Sequence, residues 1–326
     1  MNQPGKGIII REQAQRINSN LYRDLLEYSN LELSKNQQNT FIQIAKIYAL
    51  TDDKQFQLAI QECQKILKND PQHLHAIYRK SAALYDLEEY QESTSCINEA
   101  LKQNTNYSVG YSIKGISLNG LKKYDDALIC YDKAIQIDPN YKHAYNNKGI
   151  SLNNLKKYDE ALICYDKAIQ IDPNYSDAYF NKGVSLLDLI KYNDAFMCFD
   201  KALQIDPNYA YVYIYKGAFL LDQQKYGDAL TCYDKAIQID PNDRDAYGYK
   251  GIALYGLNKY DDAIIFLNKA IQIDPNYSEA YLYKGMALTE LKKYKQAINN
   301  YEVAIKNCEF QKEEFRDLIF QIQNRK

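Results

Sequence analysis

The chain has 326 residues, 46% of them hydrophobic, and sets 40 Lys and Arg against 42 Asp and Glu, the composition of a foldable globular chain. A net charge of −2 withholds the basic field that a phosphate backbone needs, so no nucleic acid is expected as partner. The isoleucine run at 8–10 is far too short for a membrane span or a signal core, and seven Cys without a secretory signal fit free thiols in a reducing compartment, so the expectation is a cytoplasmic protein with no membrane contact.

In chain order, Ile10, Ala14, Ile17, Leu21, Leu25 and Tyr28 recur at spacings of three and four, which predicts an amphipathic helix inside an N-terminal extension, 1–39. That helix either caps the neighbouring fold or docks on a partner. From Thr40 the chain repeats itself with a period of 34 residues. Pro71, Pro139, Pro173, Pro207, Pro241 and Pro275 keep this register, as do Gly115, Gly149, Gly183, Gly217, Gly251 and Gly285 and two columns of Ala that include Ala161 and Ala168. Eight units fill 40–311, the first two looser, with Ile47 and Ser81 in the Gly column. Within a unit, Tyr145, Gly149 and Leu152 mark one helix, Leu155-Lys156-Lys157 a turn, and Tyr158, Ala161, Tyr165 and Ala168 a second helix. Asp172-Pro173-Asn174 stops it, because Pro lacks the amide donor and biases the residue before it away from helix. The small columns let helix axes approach, with Gly149 expected to face Ala161, and the tyrosines are expected to fill the remaining space with their hydroxyls at the rim. Phe315, Leu318, Ile319 and Ile322 predict a capping helix in 312–326.

This succession of aromatic, Gly, Tyr, Ala, aromatic, Ala and Pro at a 34-residue period resembles the tetratricopeptide repeat over 40–311. Tyr stands where the family often has Trp, and Lys148 and its equivalents where Leu is usual. The resemblance implies an all-α, right-handed superhelical solenoid of helix-turn-helix repeats, its concave face lined by first helices. It also implies a binding scaffold without chemistry of its own. The family's carboxylate clamp for acidic chaperone tails would need Lys three residues before the Gly and Asn one residue after it. Those slots read Ser112, Asn146, Phe180, Ile214, Gly248, Leu282 and Ile116, Ile150, Val184, Ala218, Ile252, Met286, so a clamp ligand is not expected.

Catalytic parts are missing from the sequence: His73, His75 and His143 stand outside any hydrolase or metalloprotease motif, and Gly5-Lys6-Gly7 is no phosphate loop. Neither enzyme activity nor a cofactor or metal is expected. The ladder of Cys96, Cys130, Cys164, Cys198 and Cys232 has one thiol per repeat, too widely spaced for zinc or a disulfide, and reads as core filler. Lys114, Lys148, Lys182, Lys216, Lys250 and Lys284 precede the Gly column and read as seam covers whose amines pair with nearby Asp. More informative are the columns two residues before and four after the Gly, which turn aromatic towards the C-terminal half and stand beside Asp177, Asp188, Asp222, Asp245, Glu279 and Glu290. Phe180, Tyr215, Tyr249, Tyr283, Tyr255 and Leu221 are therefore the expected apolar anchors, and Asp188, Asp222 and Glu290 the steering charges, for a basic peptide or helix of a protein partner. The alternative is a structural subunit of a cytoskeletal, ciliary or organellar assembly, using the convex face and the leading helix.

Overall fold

The computed structural model describes residues 39–307, with Ser29, Ile319 and Phe320. The expected leading helix therefore lies outside the described residues, as does most of the expected C-terminal cap. Two compact units divide at the Pro173-Asn174 turn, Met1–Pro173 and Asn174–Lys326. The first contains α1 (Thr40–Asp52), α2 (Phe56–Asn69), α3 (Leu74–Asp86), α4 (Tyr90–Gln103), α5 (Ser108–Gly120), α6 (Tyr124–Ile137), α7 (Lys142–Asn154) and α8 (Tyr158–Ile171). The second contains α9 (Ser176–Asp188), α10 (Tyr192–Ile205), α11 (Ala210–Asp222), α12 (Tyr226–Ile239), α13 (Arg244–Gly256), α14 (Tyr260–Ile273), α15 (Ser278–Glu290) and α16 (Tyr294–Asn307). The sixteen described helices are all α, no strand occurs among the described residues, and each first and second helix forms one repeat of an α-solenoid. No described helix is long and apolar enough to cross a membrane.

Every first helix ends the same way. In the repeat of α9 and α10, the Ile190 amide donates to the Leu187 carbonyl and the Lys191 amide to the Leu186 carbonyl, a Schellman closure that satisfies two otherwise orphaned carbonyls. The pattern needs a left-handed residue, normally Gly, yet Lys54, Glu88, Lys122, Lys156, Ile190, Gln224, Asn258 and Lys292 hold it at φ between 56° and 63°. Ile190 is the costly case, since its branched Cβ crowds the carbonyl at φ 62°. Its side chain is 70% exposed and contributes little packing in return. Ile190→Gly is thus expected to stabilise the chain by about 1 kcal/mol, read as a higher urea midpoint, whereas a lower midpoint would mean that the turn carries no strain. Most second helices end on an Asp whose carboxylate accepts the amide two residues on, as in Asp138 to Asn140 and Asp240 to Asn242, with Asn104 doing the same after α4, and this turn launches the next repeat.

Packing follows a volume exchange across each helix pair. A Cβ added to Gly149 would come 2.5 Å from Cε1 of Tyr165, and one added to Gly115, Gly183, Gly217 or Gly285 would meet the ring of Tyr131, Phe199, Tyr233 or Tyr301 at 2.6 Å. Gly149 therefore seats the Tyr165 ring, sixteen residues on, and the expected Ala column lies beside the same position, the Ala195 and Ala263 carbonyls being 3.2 Å from a Cβ added to Gly183 and Gly251. Tyr165 is sealed at 1% exposure, so its hydroxyl does not reach the rim. Where the Gly is absent the opposing residue shrinks, giving Ser81 with Ile97 and Ile47 with Cys63, all fully buried. This explains both looser repeats and the position of Cys63 outside the cysteine ladder. Ser81 and Ser93 bring hydroxyls into the core and satisfy them together: Ser93 Oγ donates to the Ser81 carbonyl at 2.8 Å and Ser81 Oγ to the Ser93 carbonyl at 3.0 Å. The two Ala columns, from Ala127 and Ala134 onward, are buried at 0%.

First helices of neighbouring repeats also pack on one another, α1 on α3, α3 on α5 and α5 on α7 in the first unit, α11 on α13 and α13 on α15 in the second. Their outward columns therefore form a continuous inner face within each unit. Three of the column lysines reach back to an Asp on the preceding second helix, Lys148 to Asp132 at 2.5 Å, Lys216 to Asp200 at 2.6 Å and Lys250 to Asp234, while Lys46, in the same column of the first repeat, reaches forward to Glu62 at 2.9 Å. These amines are occupied in the seam, as the spacing suggested, and each such part-exposed pair contributes at most about 1 kcal/mol. Burial pushes the Cys63 thiol up to about 12 and Cys164 up to about 11, which keeps both protonated and unreactive.

Candidate functional site

On α11, α13 and α15 the residues six before, two before and five after the Gly fall on one helical stripe, spaced by four and seven. The stripe reads Tyr211, Tyr215, Asp222 on α11, Asp245, Tyr249, Gly256 on α13, and Glu279, Tyr283, Glu290 on α15. A row of three tyrosines across the helices is thus flanked on either side by carboxylates, Asp245 and Glu279 on one and Asp222 and Glu290 on the other. Tyr215 is 40% exposed, Asp188, Asp222 and Glu290 are exposed, and Phe180, Leu221, Tyr249, Tyr255 and Tyr283 are half-buried.

The anchors expected from sequence gather into three groups. Phe180 is wedged among Phe199, Tyr209 and Tyr215, meeting Tyr215 edge-on at 5.2 Å between centroids, so it props up that ring. Tyr249 stacks on the buried Tyr233 at 5.9 Å and, with Leu221, packs over Ala229 and Ala253. Tyr255 and Tyr283 meet edge-on at 6.0 Å and cover the cluster of Leu254, Ala263 and Leu267.

Electrostatics tie these rings to the acids. Burial raises the pKa of the Tyr215 phenol, and the charges of Asp188 and Asp245 raise it further, so the hydroxyl stays protonated. Tyr249 is pushed up to about 12 by burial, then by Glu279, Asp245 and Asp222. Tyr255 is raised by burial and by Glu290, and Tyr283 by burial, Glu279 and Asp222. Glu279 is itself raised, chiefly by burial and secondarily by Asp245, with a 3.4 Å hydrogen bond from Tyr277 acting against them. This carboxylate would ionise more readily beside a cation. Arg244 supplies part of the balance at one edge, its Nε 3.4 Å from Asp245 while its Nη1 pairs with Asp274.

The first unit lacks this surface. The column of Tyr215 reads Ala45, Arg79, Ile113 and Asn147 there, and Arg79 is buried against the Tyr48 ring, 3.3 Å from its centroid. Asn119, in the column of Leu221, accepts a 2.8 Å hydrogen bond from Ser151 of the next repeat and so serves as a strut.

Tyr211 and Tyr209 were not singled out from sequence. Tyr211 is 58% exposed one turn before Tyr215, a spacing of four that could have revealed it, but its column mixes His, Val, Asp, Tyr and Glu. The hydroxyl of Tyr301 meets Thr289 at 3.1 Å, whereas Leu221 occupies the corresponding position for Tyr233, whose buried hydroxyl finds no partner among the described residues. Tyr233→Phe is accordingly expected to be neutral or stabilising by up to about 1 kcal/mol, and Tyr301→Phe to cost about 1 kcal/mol. Thermal unfolding of the two variants checks the difference, and equal losses would contradict it.

Models described as tetratricopeptide repeat match residues 143–175, 164–196 and 198–231, a model of the Psidin N-terminal TPR repeats region matches 43–158, and one of anaphase-promoting complex, cyclosome, subunit 3 matches 222–304. No curated protein sequence matches the chain. Among solved structures, a chain of the APC/C hetero-tetramer Cut9-Hcn1 is similar at TM-score 0.68 and 17% identity over 92% of this chain, which spans 58% of that one. YrrB, described as a TPR protein with an unusual peptide-binding site, is similar at TM-score 0.42 and 23% identity over 60% of this chain and 97% of its own. MamA is similar at TM-score 0.42 and 22% identity over 49% of this chain and 94% of its own.

Proposed function

The chain is a tetratricopeptide-repeat protein, and on that premise we propose that it is a non-enzymatic scaffold holding a peptide or helix of a protein partner on the inner face of its second unit. The observation that carries this reading is the Tyr215, Tyr249 and Tyr283 column, part-exposed on three successive first helices and interleaved with Asp188, Asp222, Asp245, Glu279 and Glu290. An open aromatic face surrounded by carboxylates favours a Lys or Arg head over the ring and an aliphatic or aromatic side chain against it. Acidic ligands would meet like charge, in keeping with the mismatched clamp columns. Selecting a displayed random-peptide library on the full chain tests the partner's chemistry. Enrichment of segments that combine Lys or Arg with large apolar residues supports the reading, and enrichment of acidic segments overturns it.

A second reading, a structural subunit of a large assembly, is favoured by the match of 222–304 to an anaphase-promoting complex subunit model and by the fold shared with a chain of a hetero-tetramer. There the outer face and the leading segment would make the contacts. Polar replacement of Ile17, Leu21 and Leu25 would then release the chain from its assembly, whereas changes to the inner tyrosines would not.

A further inference from the structure

One junction between repeats of the second unit differs from its neighbours. Where α12 meets α13, Ala246 and Ala253 of α13 lie against Ala236 and Ala229 of α12, all four fully buried. Contacts of this size let helix axes approach to about 8 Å. The same two columns hold Ala280 and Ala287 on α15, and only Ala, Gly or Ser on every other described first helix from α3 onward except α11. There they hold Val212 and Phe219.

Ala202 and Ala195 of α10 hold the places of Ala236 and Ala229, so α11 sets a branched side chain and a ring where α13 sets two methyl groups. The Phe219 ring lies 4.8 Å between centroids from Tyr192 and from Phe196, the residues that flank Ala195 on α10. The backbones respond. Those of α10 and α11 come close over much less of their length than those of α12 and α13 or α14 and α15, and α9 does not pack on α11 as α11 does on α13. Enlarging the side chains at a helix contact adds about 2 Å to the interaxial distance. Phe180 bridges the wider inner side, 6.1 Å from Phe199 and 5.2 Å from Tyr215, whereas in the next repeat Tyr249 stacks directly on Tyr233. Tyr211 and Tyr215 accordingly stand 58% and 40% exposed, while Tyr249 and Tyr283 are half-buried.

We propose that Val212 and Phe219 are positioning residues of the inner-face site: they hold α11 off α9 and α10 and so present Tyr211 and Tyr215 to the partner. The proposal rests on the inner-face reading for its partner, a segment that combines Lys or Arg with large apolar residues, but the spacing of the junction is a property of the free chain. Val212 is fully buried and Phe219 is half-buried among rings of α10, so both act through the helix that carries the tyrosines. A face already held open spares the ligand the cost of opening it. With alanine at both positions the junction carries the residues of α13, and α11 settles towards α10.

Crystal structures and calorimetric titration of the full chain and its Val212→Ala/Phe219→Ala variant test this, with the segment selected from the displayed library as ligand. In the variant the distance from the Ala195 Cα to the Cα of residue 219 is expected to shorten by about 2 Å with circular dichroism unchanged. Affinity is expected to fall roughly 10-fold, the effect of losing a preorganised face. Phe219→Tyr keeps the ring and should keep both spacing and affinity, and Phe219→Leu, which keeps the contact apolar, should fall between. Unchanged spacing in the alanine variant overturns the proposal, and so does a closed junction that binds as tightly as the wild type. The triple alanine variant of Tyr215, Tyr249 and Tyr283 separates the two readings. If it too binds like the wild type, the inner-face reading fails and the positioning role with it; if it alone loses affinity, only the positioning role is lost.

Discussion

Gly149→Ala is expected to destabilise the chain by roughly 1–3 kcal/mol, although alanine is the better helix former. The added Cβ would come 2.5 Å from a ring carbon of Tyr165, and that ring is buried at 1% exposure with no room to withdraw. Gly227→Ala is the control: near the start of α12 its Cβ would meet nothing within 4 Å, so the same substitution should stabilise by about 0.5–1 kcal/mol through backbone entropy alone. The exchange of volume across the pair leads to a further result. Combining Gly149→Ser with Tyr165→Ile reproduces the buried Ser81 and Ile97 of the second repeat and should recover part of what the serine alone loses. Urea unfolding of the single and double variants measures the coupling. A stabilising Gly149→Ala, or strict additivity in the double variant, would show that ring and glycine do not compete for one volume.

The second large effect is on partner binding. With a basic, apolar segment chosen by selection as ligand, replacing Tyr215, Tyr249 and Tyr283 by Ala is expected to weaken affinity by roughly 100-fold or more, since buried aromatic anchors commonly contribute about 2 kcal/mol or more each. Tyr249 and Tyr283 also cover the core, so helicity and melting must be compared before the loss is assigned to binding. Asp188→Asn, Asp222→Asn and Glu290→Gln avoid this difficulty, because all three side chains are exposed. Their joint change should slow association and flatten its salt dependence while leaving melting almost unchanged. Binding indifferent to both sets of variants would remove the inner face from the proposal.

How far the sequence reveals this molecule can be judged from particular residues. The 34-residue period, the helix-turn-helix unit and the stop at Asp-Pro-Asn were all readable, because backbone chemistry at Pro and the spacing of apolar residues act locally. The pairing of column lysines with acids could be anticipated for the same reason, Lys148 holding its place in every unit and Asp132 recurring as Asp166, Asp200 and Asp234. The Schellman turns at Lys156 and Ile190 were not, since nothing in their side chains announces a left-handed residue. Nor was the partner of Gly149, because Ala161 and Tyr165 are both plausible neighbours until the helices are docked. Inner-face candidates were found by variation between columns, yet one-dimensional periodicity could not separate Phe180, which props Tyr215 from beneath, from Tyr211, which stands in the open.

The sequence by itself determined the repeat, its helices and the chemical character of each column, because those depend on residues a few positions apart. Tertiary structure decided which side of a column faces the core, which hydroxyl is left without a partner and which neighbouring helices stand apart. Those outcomes depend on volume and distance between helices, and are settled only when sixteen described helices pack against their neighbours.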